Sequence, residues 1–71
     1  MRFWLKAERE KIGLSQSKLG QKLGMSQNYY SQIELGQRQE TLNLTTAAAL
    51  AEIFGLSLEQ VLKFETERTG A

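Results

Sequence analysis

Three tripeptides of one form, each a glycine, an apolar residue and a serine, divide the 71-residue chain at 13–15, 24–26 and 55–57. Glycine suits the left-handed conformation that commonly follows a helix end, and a serine two positions later suits the N-cap of the next helix. Each tripeptide therefore predicts a tight joint between two helices, and three joints require at least four helices. The chain has no proline and few β-branched residues, so no strand pattern competes with this interpretation.

The third joint carries a further signal, because Ser57 is followed by Gln60 at the third helical position, which is the spacing of a capping box. In every joint the apolar residue also has an apolar partner five positions later, as a hydrophobic staple requires. These pairs are Leu14 with Leu19, Met25 with Tyr30, and Leu56 with Val61. The joint serines therefore predict where the following helices begin.

Apolar residues at helical spacing fill the segments between the joints. The residues that share one face of their helix are Leu5, Arg9 and Ile12 in the first, Leu19 and Leu23 in the second, and Ala47, Leu50, Ala51 and Phe54 in the fourth. The fourth helix is predicted to begin at residue 43 or 44 and to end at Phe54, and the fifth to run from Leu58 to about Phe64. The prediction is an all-α, compact bundle of five short helices in one domain, residues 1–64, followed by a polar tail, 65–71, that frays.

Length and composition limit the functional classes. A chain of 71 residues suits one domain with one core. It has neither cysteine nor histidine, which removes disulfides, thiolate–zinc sites and the usual nucleophile and general-base arrangements. We therefore expect no enzymatic activity, no metal and no cofactor. The longest apolar run, 45–54, is too short to span a bilayer, and no signal-type segment opens the sequence, so we expect a cytoplasmic protein. The net charge of +1 gives by itself no strong indication of nucleic-acid binding.

The third helix, predicted between Gly24 and Gly36, has an unusual outer face. Helical geometry directs Tyr30 and Ile33 to the core. The opposite side and its flanks then carry Gln27, Asn28, Tyr29, Ser31, Gln32 and Leu35. Exposed helix faces more often carry Glu and Lys, which favour helices more than Asn or Ser do. Amides and hydroxyls can bind base edges of DNA, but composition alone is equally compatible with an ordinary polar surface.

The segment 16–34, QSKLGQKLGMSQNYYSQIE, resembles the helix-turn-helix of the phage repressor and Cro family, also called the XRE family. The preceding Arg9-Glu10 and 13–16, and the following 34–38, are also similar to that family. The resemblance covers about residues 5–62. It implies a lambda-repressor-like DNA-binding domain, with a helix-turn-helix at about 16–35 whose second helix, 27–35, lies in the major groove of double-stranded DNA.

The resemblance also implies roles for individual side chains. The residues expected to contact base edges are Gln27, Asn28 and Gln32, with Ser31 beside them. The residues expected to contact phosphates are Gln16, Lys18, Tyr29, Gln37 and Arg38, and Lys22 is a further candidate. Gln16 matches a glutamine that in relatives contacts phosphate, and a helix N-terminus favours phosphate independently. Since cations are few, we expect modest non-specific affinity and a specificity that depends on groove contacts.

Arg9 lies on the same helical stripe as Leu5, where a cation without a partner would be costly. In the family the matching arginine pairs with the glutamate that corresponds to Glu34, which implies a structural ion pair; a phosphate contact by Arg9 is the alternative. Two positions depart from the family pattern. Gly20 stands where alanine is commonest, and Tyr30 occupies a place that is usually aliphatic, so its hydroxyl must reach solvent or a partner.

The resemblance implies a sequence-specific transcriptional regulator, a repressor above all. Since one helix in the groove reads only a few base pairs, we expect it to bind a palindromic operator as a homodimer. Candidates for the dimer interface are Phe64, Leu62 and Val61, although Val61 and Leu62 can equally close the monomer core. Phe3 and Trp4 form a second candidate patch, and the sequence does not choose between the two. An antitoxin, or another module that binds a protein partner with the same fold, is the alternative function, and activation is an alternative to repression.

Overall fold

The computed structural model describes residues 1–68, which form five α-helices in sequence order. They are α1 (Phe3–Lys11), α2 (Gln16–Lys22), α3 (Gln27–Leu35), α4 (Leu44–Phe54) and α5 (Leu58–Arg68). No strand occurs among these residues. The all-α, five-helix prediction is therefore confirmed. No helix in the described part of the chain has the length and apolarity that a membrane crossing requires.

The joints form as the sequence predicts. Gly24 adopts the left-handed conformation, with φ at +72°, which residues with a Cβ rarely adopt. It thereby forms the turn between α2 and α3. Ser26 caps α3, because its Oγ accepts from the backbone N–H of Tyr29 at 3.1 Å. At the third joint Ser57 and Gln60 form the predicted capping box, with reciprocal backbone-to-side-chain bonds of 2.9 and 3.1 Å. Local sequence therefore fixes where α3 and α5 begin.

The core lies where the helices meet, and within residues 1–68 every buried side-chain nitrogen and oxygen has a hydrogen-bond partner. Its buried apolar residues are Leu5, Leu19, Tyr30, Ile33, Leu42, Ala47, Leu50, Ala51 and Val61. Gly20 permits the close approach of α2 to α3, because a Cβ there would lie 3.3 Å from the carbonyl oxygens of Met25 and Ser26. The unusual glycine therefore has a packing reason.

Three details differ from the sequence prediction. Ile12 does not join the α1 face as a core residue: α1 ends at Lys11, and the Ile12 side chain is 42% exposed at the C-cap. Phe54 is only half-buried at the end of α4. Leu42, in the connection between α3 and α4, is buried although no helical periodicity marked it. Ile12 and Phe54 lie at helix ends and Leu42 lies in a connection, so helical periodicity does not decide their burial.

The predicted end of the fifth helix at about Phe64 is wrong, because α5 continues to Arg68. The reason is tertiary: the Glu65 carboxylate accepts hydrogen bonds from Arg2, Trp4 and Arg68, which holds this last turn against the start of α1. The first four residues of the predicted tail are thus helical. The rest of that tail, 69–71, lies outside the described residues.

Candidate DNA-binding surface

The outer side of α3 carries the predicted base-contacting side chains. Gln27 and Asn28 are exposed in the first turn, and Ser31 and Gln32 are half-buried one turn later. The inner side of the same helix is buried, with Tyr30, Ile33 and Glu34 as its contacts to the core. The four polar residues therefore share the solvent-facing side of one helix, whose orientation is fixed from behind.

A polar cluster around Glu34 fixes that inner side. Arg9 donates to both carboxylate oxygens of Glu34, from Nε at 3.0 Å and from Nη2 at 3.2 Å. The Tyr30 hydroxyl donates to Oε2 at 2.6 Å, and the Gln16 amide donates to Oε1 at 3.4 Å. The structure thus contains the ion pair that the resemblance implies. It also gives the unusual Tyr30 a buried partner for its hydroxyl.

The protonation states in this cluster follow from these contacts. Burial alone would raise the pKa of Glu34, but the hydrogen bonds from Arg9 and Tyr30 and the charge of Arg9 outweigh it, so the pKa is lowered. The bond to Glu34 raises the pKa of Arg9. Burial, followed by the bond to Glu34, raises the pKa of Tyr30 well above its usual range. At neutral pH the cluster is therefore an ion pair with a neutral phenol that donates to it.

Gln16 links this cluster to the predicted phosphate edge. It is the first residue of α2, and its amide is half-buried because it reaches Glu34 on α3. Lys18, in the same turn, is exposed. Gln37 is exposed just beyond α3, where its backbone N–H donates to the Gln32 carbonyl at 2.8 Å. These predicted phosphate contacts therefore lie at the α2 N-terminus and after the α3 C-terminus.

Arg38 and Tyr29 form a second cluster on the outer side of α3. Arg38 Nε donates to Gln32 Oε1 at 2.6 Å, and its guanidinium carbon lies 5.3 Å from the centroid of the Tyr29 ring. Gln39 Nε2 donates to the Tyr29 hydroxyl at 3.4 Å. The connection after α3 is thus folded back onto the outer side of α3. It brings Arg38 into contact with Gln32, a predicted base-contacting residue, and with Tyr29, another predicted phosphate residue.

Arg2 is a structural residue that the sequence analysis missed. Its side chain is fully buried, with 0% exposure. Its guanidinium donates to the carbonyl oxygens of Ile33, Arg38, Gln39 and Glu40 and to the carboxylate of Glu65. A signal was present, because Arg2 continues the stripe of Leu5 and Arg9 at intervals of three and four. Arg2 holds the C-terminus of α3 and the connection behind Arg38.

The predicted dimer-interface residues separate in the structure. Val61 is fully buried in the core and has no surface for a partner, so its prediction as an interface residue is corrected. Leu62 is 43% exposed. Phe64 stacks on Trp4, with ring centroids 5.3 Å apart and planes 14° apart. The two patches between which the sequence did not choose are therefore one surface, formed by the start of α1 and the end of α5, and Phe3 beside it is 72% exposed.

Within residues 1–68, no group of three or more acidic, histidine or cysteine side chains could hold a metal ion. The carboxylates of Glu34 and Glu65 each accept hydrogen bonds from an arginine, Arg9 and Arg2 respectively.

Comparison with known proteins agrees with this geometry. A family model described as helix-turn-helix matches residues 5–61, which include the whole α2–joint–α3 unit and its Arg9–Glu34 support. Neither curated proteins nor solved structures gave a significant match. The matched segment covers most of the chain, and the paired helices, the glycine turn and the uncharged outer side of α3 all lie within it. The chain therefore belongs to the Cro/C1-type helix-turn-helix family, the XRE family of DNA-binding regulatory domains.

Proposed function

We propose that this protein is a sequence-specific transcriptional repressor that places α3 in the major groove of its operator. The observation that carries the proposal is the outer side of α3, where Gln27, Asn28, Ser31 and Gln32 offer donors and acceptors without a formal charge. Side chains of this kind discriminate base edges, whereas contacts to phosphates carry no direct sequence information. The Glu34 cluster supports the proposal, because a helix that reads bases must be held rigidly.

Phosphate contacts would come from both ends of the helix-turn-helix. The side chains of Gln16 and Lys18 lie in the first turn of α2, and Arg38 and Gln37 lie beyond α3. With so few cations, binding should depend on salt less steeply than in strongly basic DNA-binding proteins. Specific contacts would then supply a large part of the affinity.

A homodimer on a palindromic operator would extend the short sequence that one recognition helix can read. The aromatic surface of Phe3, Trp4 and Phe64, with Leu62 nearby on α5, is the proposed two-fold contact. A domain of this size regulates by where it binds, so occupation of promoter DNA would exclude polymerase. The same exposed aromatic surface is the observation that favours the second candidate function, an antitoxin-like module that binds a protein partner.

The proposal is tested by fluorescence anisotropy of the purified protein with duplex DNA from upstream of its own gene, with scrambled duplex as competitor and a salt series. Tight binding that resists the competitor is expected, and Asn28→Ala or Gln27→Ala should weaken it by about tenfold, as the loss of one base contact does. Lys63→Ala on α5 is the control, because Lys63 is exposed and lies outside the helix-turn-helix.

Weak, strongly salt-dependent binding that is equal for both duplexes would contradict the proposal. An unchanged affinity of Asn28→Ala and Gln27→Ala would also contradict it, because α3 would then not read bases. The oligomeric state is measured by sedimentation of the free and bound protein. One protein chain per duplex, independent of concentration, would exclude the homodimer and leave the aromatic surface to another partner.

A further inference from the structure

Arg38 determines the orientation of the Gln32 side-chain amide. Arg38 Nε donates to Gln32 Oε1 at 2.6 Å, and because the donor is a cation this bond is stronger than one between neutral groups. The reversed amide would place its NH₂ group against the arginine N–H, donor against donor. The contact therefore fixes the orientation of the Gln32 amide, with its oxygen towards Arg38.

Arg38 is itself held on three sides. Its guanidinium lies over the Tyr29 ring at 5.3 Å, a cation–π contact. Its backbone N–H donates to the Gln32 carbonyl at 3.2 Å, and its own carbonyl accepts from the buried Arg2 at 3.4 Å. Its Nη1 and Nη2 groups make no hydrogen bond within residues 1–68, and the residue is exposed. Arg38 can thus hold Gln32 through Nε while its outer nitrogens stay open to phosphate.

The remaining polar group of Gln32, its Nε2, is open to a ligand. Nε2 makes no hydrogen bond in the described part of the chain, where no buried side-chain nitrogen or oxygen lacks a partner. Nε2 must therefore be accessible to solvent. The amide presents a donor outward while its acceptor is occupied by a cation.

A glutamine that reads adenine must donate to N7 and accept from the N6 amino group at the same time. Arg38 occupies one lone pair of Gln32 Oε1, and its positive charge opposes an amino group that approaches the other. Guanine offers acceptors at O6 and N7 and thymine at O4, whereas the N7 acceptor of adenine lies beside its N6 amino donor. Resting on the proposed function, we infer that Arg38 sets the base specificity of Gln32, so that this amide acts as a donor and selects guanine or thymine over adenine and cytosine.

The inference is tested by selecting binding sites from random duplex DNA with the wild type and with Gln32→Ala. The position that loses its preference in the variant is the one that Gln32 reads. The wild type should prefer guanine or thymine there by about fivefold over adenine, the effect of one hydrogen bond. Arg38→Met should shift this single position towards adenine, because both ends of the amide then become available.

Two further variants make the result specific. Lys18→Met removes an exposed cation that does not touch Gln32, so it should weaken all sites alike and leave every base preference unchanged. Gln32→Glu keeps an oxygen for Arg38 but removes the outward donor, so the preference for guanine or thymine should disappear. Thermal unfolding followed by circular dichroism checks that each variant is folded, which the exposure of Arg38 favours.

Adenine at the position read by Gln32 in the wild type would overturn the inference. So would an Arg38→Met variant that weakens all sites alike, as Lys18→Met does. A Gln32→Ala variant that keeps every base preference of the wild type would overturn it too, because Gln32 would then read no base. If the wild type selects no sequence at all, the proposed function fails as well, whereas a selected operator with unaltered preferences removes only this inference.

Discussion

The protein contains two buried arginines whose environments differ. Arg9 binds mainly a carboxylate, that of Glu34, which is 1% exposed and lies inside the helix-turn-helix. Arg2 also binds a carboxylate, that of Glu65, but four of its five hydrogen bonds go to backbone carbonyls at the end of α3 and in the connection after it. The cluster around Arg9 compensates a buried charge, and the cluster around Arg2 binds carbonyls at the end of α3 and in the connection after it.

This difference decides what each arginine can be replaced by. A carboxylate partner can be neutralised by a second substitution, so the pair around Arg9 could be exchanged as a unit. Backbone carbonyls cannot be removed by mutation, so whatever replaces Arg2 must still offer donors to them. The side-chain cluster around Arg9 fixes the inner side of α3, and the cluster around Arg2 fixes its C-terminal end.

The largest effect is expected for Arg9→Ala, which should lower the free energy of unfolding by about 3 kcal/mol because it leaves the Glu34 charge buried with neutral partners alone. Urea denaturation measures the loss. Lys11→Ala is the control on the same helix, since the Lys11 side chain, which pairs with Glu8 at 2.8 Å, is 72% exposed, and its loss should change stability by less than about 0.5 kcal/mol. A loss below about 1 kcal/mol for Arg9→Ala would mean that the ion pair does not support the fold.

Arg2→Met should lower the free energy of unfolding by about 2 kcal/mol, because it leaves several carbonyls without donors while Glu65 keeps Trp4 and Arg68. Hydrogen exchange should speed up most at the amides of residues 38–43. Exchange that increases evenly over the whole domain would show that Arg2 does not act on this connection in particular.

Tyr30→Phe should cost about 1.5 kcal/mol, the contribution of a buried hydroxyl that donates to a charged group. Tyr29→Phe is the matched control, since that hydroxyl only accepts a 3.4 Å bond from Gln39, and its loss should change stability by less than about 0.5 kcal/mol. Equal effects of the two substitutions would show that the Tyr30 hydroxyl does not help to hold α3.

A second substitution in each variant tests directly whether the two arginines stabilise the fold in different ways. Glu34→Gln in the Arg9→Ala background should restore about 1 kcal/mol, because it neutralises the stranded carboxylate. Glu65→Gln in the Arg2→Met background should restore nothing, because the carbonyls remain unpaired. If urea denaturation showed stability restored by Glu65→Gln but not by Glu34→Gln, the proposed difference between the two arginines would be wrong.

The smallest effect concerns pH. The pKa of Glu34 lies below its ordinary value of 4.5, so its stabilising contribution is fully present above that pH and is lost as the pH falls through the lowered pKa. Between pH 4.5 and 4.0 the loss from this group should stay below about 0.7 kcal/mol, since one proton limits the slope to about 1.4 kcal/mol per pH unit. Glu34→Gln should have a shallower acid slope than the wild type, and equal slopes would contradict the assignment.

Much of the fold could be predicted from short segments. The joint glycines and serines act on backbone atoms within four residues of themselves, and so they specify α2, α3 and the start of α5 without tertiary information. The Arg9–Glu34 pair could be expected from the family resemblance. The outer side of α3 followed from helical periodicity, because the inward direction of Tyr30 and Ile33 determines which side chains point out.

The missed features all depend on contacts between distant parts of the chain. Leu42 is buried because the connection after α3 folds over the core, and no local period applies to a connection. The last turn of α5 persists because Arg2, 63 positions earlier, donates to Glu65. Phe64 is half-buried because Trp4 lies against it. The periodicity of apolar residues along one helix carries no information about contacts between residues so far apart in sequence.

The sequence by itself determined the helices, their joints and the polar outer side of α3, because these depend on hydrogen bonds and periodicity within one or two turns. Tertiary structure decided which charges are buried, where α5 ends, and that the two aromatic patches are one surface. It also decided that Gln32 is held by Arg38, since the path of the connection after α3 is set by Arg2 from the other end of the chain. Local hydrogen bonds and helical periodicity thus form α3, and long-range hydrogen bonds set how its side chains are presented.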